Sequence, residues 1–304
     1  MRPLNMSEIL AAGGRRDTTA LRQSRDAQVT HAHPHLLWTF SPAILIPIGA
    51  YAWFWIRRFL EVRRTSGPRG AGLRQLIAFT GAIAALLVAL VSPLDRLGED
   101  YLFSAHMVQH LLLGDIAPLL ILLSLSRVMM RPLTRRLQSV ERALGPLAHP
   151  ATALILWLGL VYLWHVPALY DAALEHPAVH ALQHVAFFTA GVLVWWPLIQ
   201  PVPMRHRLGG MWTFGYIGTA KFGLAALGLY LTWTGTVAYT YYEHVPRIWG
   251  MSALTDQNVG GAIMMVEQSV LLVTVLAVLF GRMLAQSEQD ELRRERLEER
   301  SAAA

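Results

Sequence analysis

The sequence contains no cysteine among its 304 residues. This absence excludes a disulfide framework, a thiolate metal site and a nucleophilic thiol, so any metal ligand must come from histidine, methionine, aspartate or glutamate. Charged residues are also scarce, at 15% of the chain, whereas hydrophobic residues make up 54% and the mean hydropathy is +0.38. A composition this apolar excludes an ordinary water-soluble protein and predicts an integral membrane protein.

Lysine is almost absent, because the 26 basic residues include a single lysine, Lys221. It falls within an apolar stretch, where an ammonium group needs a partner. Asp115 and Glu267 lie in other apolar stretches at comparable predicted depth. We therefore predict a buried ion pair or a polar relay among these three residues. Such a cluster either locks a helical bundle together or forms a path for protons or ions, and the sequence leaves both open.

Seven stretches are long and apolar enough to cross a membrane as helices, since a span needs roughly 20 largely apolar residues. They cover about residues 39–60, 73–92, 101–124, 151–170, 178–199, 211–234 and 259–281. The sequence thus predicts an all-α, polytopic membrane helical bundle with seven transmembrane helices, in one domain of residues 39–284. Residues 1–38 read as a disordered leader containing arginine and histidine, and residues 285–304 as a charged cytoplasmic tail.

The arginines predict the orientation of this bundle. The connection of residues 57–74 holds six arginines, that of residues 127–142 holds five, and a short third one holds Arg205 and Arg207. Because cytoplasmic connections carry an excess of positive charge, these three should face the cytoplasm. The N-terminus is then outside and the C-terminus inside. Five arginines in the leader oppose this orientation, but the three later connections outweigh them.

Histidines are concentrated on the predicted outer side, which holds ten of the twelve. Four of them form two HxxxH pairs inside apolar segments, His106 with His110 and His180 with His184. Residues four apart lie on one face of a helix, so each pair directs two imidazoles the same way, as binding of a metal or a haem requires. The short connection between the fourth and fifth spans should bring His165 close to the second pair.

Other residues on the same side could support such a site. The methionines Met107, Met264 and Met265 could offer thioether sulfur to Cu(I), or could simply pack in the apolar interior. The acids Asp95 and Asp256 could complete or orient the site, although Asp256 is also well placed to cap the N-terminus of the seventh helix.

Two histidine features have plainer interpretations. A single histidine such as His165 can hydrogen-bond across a helix interface without binding a metal. The run of His31, His33 and His35 in the leader resembles a segment that binds copper or zinc, yet many histidine-rich leaders bind nothing specific.

Five motifs, taken in order, resemble the CtaG family, the caa(3)-type cytochrome c oxidase assembly factors. The resemblance covers about residues 36–284. The motifs are Ser92–Asp95, Phe103–His110, Trp164–Pro167, His180–His184 followed by Trp195–Pro197, and Asp256–Met264. The family comprises multi-helix bacterial membrane proteins needed to form active haem-copper oxidase, and a copper role is suspected from related domains joined to copper-resistance proteins. The resemblance implies a multi-pass protein of the bacterial plasma membrane that works with oxidase subunits.

We therefore expect copper, as Cu(I), to bind on the outer side and pass to a nascent oxidase subunit. The expected ligands are His106, His110, His180 and His184, with His165 and Met107 as auxiliary ligands. No bond is made or broken in a substrate, so we expect no enzymatic activity. The lipid bilayer and cytochrome c oxidase subunits are the expected partners, and nucleic acid is not.

Two alternatives from other functional classes stay open. A haem-binding electron carrier would clamp one iron between histidines of the third and fifth spans. An ion- or proton-coupled transporter would use Lys221, Asp115 and Glu267.

Overall fold

Every regular element is a helix in the part of the chain that the structure, a computed structural model, describes, residues 37–302. The all-α prediction is confirmed for these residues. The helices are α1 Pro42–Gly70, α2 Leu73–Leu90, α3 Pro93–Asp100, α4 Phe103–Leu111, α5 Ala117–Ser124, α6 Arg127–Leu144, α7 Pro150–Trp164, α8 Pro167–Glu175, α9 Pro177–Ile199, α10 Met211–Trp233, α11 Tyr241–His244 and α12 Ala253–Ala302. A π-helical turn, Leu112–Ile116, joins α4 to α5, and a 3-10 turn, Gly145–Ala148, follows α6.

Six helical segments of the described chain are long and apolar enough to cross a membrane. They are Pro42–Gly70, Leu73–Leu90, Phe103–Ser124, Pro177–Ile199, Met211–Trp233 and Ala253–Arg296. A seventh exists if α6 with its 3-10 turn and α7 form one span, although these two parts are bent by 73°. The protein is therefore a multi-pass membrane protein, whose described residues contain six candidate spans, or seven if the bent pair counts as one.

The predicted fourth span, residues 151–170, ends earlier than expected. Helix α7 stops at Trp164, and Val166 is extended. The reason is Pro167, since the residue before a proline is disfavoured in helical backbone. Proline suits the first position of a helix, and α8 begins there. His165 consequently lies at a break between two helices instead of inside one.

Three connections meet at one end of the bundle, which we call the histidine end: α3, α8 and residues 234–252. The Tyr242 hydroxyl, from α11, donates a hydrogen bond to the Gly98 carbonyl of α3 at 2.7 Å. The Thr240 hydroxyl donates to Asp171 of α8 at 2.8 Å. These are the arginine-poor connections that the sequence placed together on one side.

The arginine-rich connections also contact one another. The Gln138 side chain of α6 donates to the Pro203 carbonyl at 2.9 Å, and Glu141 of α6 accepts a hydrogen bond from the Arg205 backbone N–H at 2.6 Å. The arginine-rich and the arginine-poor connections thus form two separate groups, as in a membrane protein with two distinct aqueous faces.

Two glycines allow α10 and α12 to touch through their backbones. A Cβ atom at Gly261 would lie 2.6 Å from the Gly228 carbonyl oxygen, and one at Gly228 would lie 2.9 Å from that of Gly261. Small residues permit this close approach between helices in membranes. Because α12 also packs against α4, the approach brings the N-terminal turn of α12 to the start of α4.

The π-helical turn changes which side chains α4 and α5 present to the core. In an uninterrupted α-helix, residues nine apart are separated by about 2.5 turns and lie on opposite faces. His106 and Asp115 are nine apart, yet both are buried. The wider turn at Leu112–Ile116 rotates Asp115 towards the interior, so that one span contributes both the histidine pair and a buried carboxylate.

Candidate metal centre

The structure brings the two HxxxH pairs together at the histidine end. His106 and His110 project from α4, and His180 and His184 from α9. Each offers one nitrogen, and these four nitrogens all lie within 4.8 Å of one another. Three of the rings are buried and His184 is partly buried. We call these residues the four-histidine group; their number, spacing and chemistry suit a single metal ion.

His106 and His180 are held by partners that fix which nitrogen faces the group. The Tyr242 hydroxyl lies 2.9 Å from His106 Nδ1, and that hydroxyl gives its own proton to the Gly98 carbonyl. Its oxygen must therefore accept from Nδ1–H of His106. Glu99 lies 2.8 Å from His180 Nδ1 and accepts from it in the same way. Both Nε2 atoms are then left with a lone pair directed into the group.

These two Nε2 atoms lie 3.4 Å apart. Two nitrogens that both act as acceptors have no proton to share, so they attract one another only through a cation between them. Carboxylate or hydroxyl partners on the far nitrogen of a histidine are typical of metal ligands, whose tautomer and ring orientation they fix.

The remaining two histidines have ring nitrogens with no partner among the described residues. They are both nitrogens of His110 and the Nε2 of His184, and each is shielded from solvent. An unpartnered buried nitrogen costs free energy of folding, on the order of 1–3 kcal/mol. Native proteins keep few such atoms, and a ligand site is a common reason for those that remain.

The hydroxyl groups of Tyr170 and Tyr242 both contact His106. The Tyr170 hydroxyl lies 3.1 Å from His106 Nδ1, and both tyrosines are fully buried. Burial raises the pKa of both phenols well above their usual value, so they remain neutral hydroxyls. Sequence reasoning missed Glu99, Tyr170 and Tyr242, because each lies more than 60 residues from its histidine in sequence and outside the motifs.

His165 lies apart from the four-histidine group. Its Nδ1 contacts the Val161 carbonyl at 2.7 Å, while its Nε2 has no partner among the described residues. Together with Met107, Met264 and His110 it lines a cavity of about 30 Å³ between α4, α7 and α12. The predicted auxiliary ligands His165 and Met107 are therefore placed beside this cavity. Met265 does not line it, and its sulfur instead faces the Thr232 hydroxyl.

Asp256 caps a helix other than the one expected. Its carboxylate accepts hydrogen bonds from the backbone N–H groups of Phe103 and Ser104, at 2.7 and 3.0 Å. These belong to the first turn of α4, whose N–H groups have no partner within the helix. Asp256 itself lies inside α12, so it secures the helix that carries His106 and His110 and not its own.

Asp95 supports the group more remotely. Its Oδ1 accepts a hydrogen bond from the Gln109 amide at 2.6 Å, and that amide also donates to the Ala89 carbonyl. Burial, assisted by the negative charge of Glu99, raises the pKa of Asp95 to about 6. Asp95 thus ties α3 to α4 between the two histidines without contacting either of them.

Lys221 and Asp115 form a buried ion pair deeper in the bundle, with Nζ and Oδ2 at 2.5 Å. Asp115 also accepts from the Trp195 indole at 2.6 Å and from the Gln268 amide at 3.1 Å. Glu267 joins through a contact with the same Gln268 amide. The three predicted residues are thus connected, and every charged atom of Asp115 and Lys221 has a partner.

The histidines of the leader, His31, His33 and His35, lie outside the described residues.

Comparison with known sequences identifies the family. The profile of the family described as "cytochrome c oxidase caa3 assembly factor" matches residues 49–286. The chain belongs to this family. The match includes the four-histidine group, the ion pair and all the residues that position them.

Curated relatives are uncharacterized proteins of mycobacteria. One from Mycobacterium leprae is 25% identical over 279 residues, covering 84% of this chain and 40% of the relative. One from Mycobacterium bovis is 30% identical over 258 residues, covering 77% of this chain and 37% of the relative. The chain therefore spans about two fifths of the length of these relatives. No solved structure matches the sequence.

Proposed function

We propose that this protein handles copper at the four-histidine group for insertion into a cytochrome c oxidase. Membership of the oxidase assembly family supports the destination of the metal. The observation that carries the proposal is the convergence of four imidazoles whose nitrogens are unpartnered or directed at one another. A fully hydrogen-bonded polar core would need no ion, whereas a cation would satisfy the unpartnered nitrogens of this group.

Copper suits the available donors. Imidazole binds copper, zinc, iron and nickel, and the absence of cysteine leaves imidazole and thioether as the soft ligands of the chain. The thioethers of Met107 and Met264 lie beside His110 in an adjoining cavity, outside the four-histidine group, and such soft donors suit Cu(I) better than zinc.

The protein's own residues would prepare the site for transfer. Glu99 and Tyr242 hold His180 and His106 with their Nε2 lone pairs facing inward, so the ligands need no rearrangement to receive an ion. The group lies directly beneath α3, α8 and α11, so a partner could exchange its own ligands for these one at a time. This task involves no bond-making in a substrate, and we propose a non-enzymatic role.

The arginine distribution supports an outward-facing site. The histidine end carries the arginine-poor connections, so it would face the exterior of the bacterial plasma membrane, with the N-terminus outside and the C-terminus in the cytoplasm.

The haem alternative receives less support from the geometry. A haem bound between His106 and His180 would need an open plane between α4 and α9. His110 and His184 occupy that region: the ring centroids of His106 and His110 are 4.1 Å apart, and so are those of His180 and His184. Haem content of the purified protein decides the matter, because a haem carrier would show a Soret absorption band.

The test replaces both histidines of α4, His106→Ala with His110→Ala, and measures copper bound to the purified protein and oxidase activity in membranes. We expect both to fall to the level of a strain lacking the protein. The control is His176→Ala, an exposed histidine at the same end of the bundle, which should leave both unchanged. Unchanged copper and oxidase activity in the double variant would reject the copper site.

A further inference from the structure

A second set of potential ligands lies below the four-histidine group. The cavity of about 30 Å³ is lined by two histidines, His110 and His165, and by two methionines, Met107 and Met264. By this measure a water-sized sphere needs on the order of 10–15 Å³, so the cavity holds one small ion or about two water molecules. The rest of its wall is largely apolar, including Trp157 and Phe187 and other hydrophobic side chains.

Both imidazoles at this cavity have ring nitrogens without a hydrogen-bond partner among the described residues. His165 uses Nδ1 on the Val161 carbonyl, which leaves Nε2 buried without a partner among the described residues. His110 has two unpartnered nitrogens, and the four-histidine group needs only one of them. A neutral imidazole has one lone pair, so His110 can bind an ion in the four-histidine group or an ion in the cavity, with the proton on its other nitrogen.

The two methionines are fully enclosed, with exposed fractions of 1% for Met107 and 3% for Met264. A thioether is a soft ligand that prefers Cu(I) and binds divalent zinc or magnesium poorly. Two thioethers and two imidazoles around a largely apolar cavity make a donor set with a preference for a soft, monovalent cation.

Asp115 also lines this cavity, and its carboxylate is paired with the Lys221 ammonium. The ion pair therefore leaves no free charge at the cavity, and the preference for a soft cation comes from the imidazole and thioether donors.

We propose that this cavity is a second Cu(I) station, formed by His110, His165, Met107 and Met264 and connected to the four-histidine group through His110. The inference rests on the proposed function, because the same copper would occupy both stations. A chain with two adjoining stations can hold one ion deep in the membrane while the other is exposed to exchange with a partner.

The test is an anaerobic titration of the purified protein with Cu(I), against a coloured Cu(I) chelator. We expect two ions per chain in the natural protein. Met264→Leu, alone or with Met107→Leu, preserves side-chain volume but removes sulfur, and should weaken the second ion at least tenfold while the first remains bound. The matched control is Met265→Leu, which removes a neighbouring thioether outside the cavity and should leave both ions in place.

X-ray absorption of the natural protein loaded with two ions gives a reading that depends on no variant. Sulfur scattering should appear only after the first equivalent and should vanish in Met264→Leu with Met107→Leu. Binding of a single ion, with nitrogen ligands alone and no effect of the methionine changes, would overturn the second station while leaving the proposed function standing. Binding of no ion at all would overturn both.

Discussion

Two buried polar groups lie along the same membrane span, and they differ in how completely their atoms are hydrogen-bonded. In the ion pair, Asp115 receives bonds from Lys221, Trp195 and Gln268. In the four-histidine group, by contrast, both nitrogens of His110 are unpartnered. Burying polar atoms in a membrane costs free energy in both groups. Hydrogen bonds within the protein offset this cost for Asp115, but not for His110.

The contrast separates a structural role from a binding role. The ion pair links the π-helical turn to α9, α10 and α12, and both oxygens of Asp115 have partners. The four-histidine group keeps buried nitrogens that a bound cation would satisfy. The transporter alternative needs the ion pair to open and close, and the three hydrogen bonds that Asp115 accepts instead favour the structural interpretation.

The largest expected effect is a loss of stability when the ion pair of Lys221 and Asp115 is broken. Lys221→Met leaves the Asp115 carboxylate buried and uncompensated, and we expect the free energy of unfolding to fall by about 3–5 kcal/mol. Thermal unfolding of the detergent-solubilised protein measures the loss. Adding Asp115→Asn to Lys221→Met should recover much of it, because the uncompensated charge is then gone. A stable Lys221→Ala variant that has lost ion flux in proteoliposomes would instead point to the transporter.

The four-histidine group should respond in the opposite way. His110→Leu removes two unpartnered nitrogens, so the metal-free variant should be no less stable than the natural protein. Copper at about 100 times its dissociation constant should stabilise the natural protein by about 2.7 kcal/mol and the variant by far less. The measurement is the unfolding temperature with and without Cu(I). A large loss of stability in metal-free His110→Leu would mean that the histidines serve packing.

Glu99 provides a further test of the four-histidine group, because it contacts that group through His180. Glu99→Gln replaces the carboxylate that accepts from Nδ1, and we expect copper affinity to fall roughly 10- to 100-fold with little change in folding. Asp100→Asn, which alters a neighbouring half-buried acid paired with Arg96, serves as the control. Equal affinities for the two variants would exclude a positioning role for Glu99.

The smallest expected effect concerns Asp256. Asp256→Ala removes two hydrogen bonds to the first turn of α4, and loss of a helix cap typically costs about 1 kcal/mol. Copper affinity should fall with it, since α4 carries half of the ligands. Asp256→Asn retains one acceptor oxygen, so its stability should lie between that of the natural protein and that of Asp256→Ala. Ala and Asn variants that match the natural protein in stability would show that the cap contributes nothing measurable.

Sequence periodicity was sufficient to find the four-histidine group. An HxxxH spacing fixes the relative direction of two side chains on any helix, so His106 with His110 and His180 with His184 could be paired without knowing the fold. Charge in the connections and the length of the apolar stretches then placed both pairs at one depth. The ion pair of Lys221 with Asp115 followed from the same reasoning about depth.

Features that depend on irregular backbone or on distant contacts were not accessible in this way. The π-helical turn that brings Asp115 into the core has no periodic signature. The cap that Asp256 provides joins residues about 150 positions apart, and local rules assigned it to the wrong helix. His165 was placed within a helix because its apolar neighbours continue past it, whereas Pro167 ends the helix.

The most direct test of the account is the X-ray absorption spectrum of the purified protein loaded with one equivalent of Cu(I). We predict nitrogen scattering with the outer-shell pattern of at least two imidazole rings, and its disappearance in His106→Ala with His110→Ala. A protein that retains no copper, or copper whose spectrum lacks imidazole and is unchanged by that double substitution, would contradict the account.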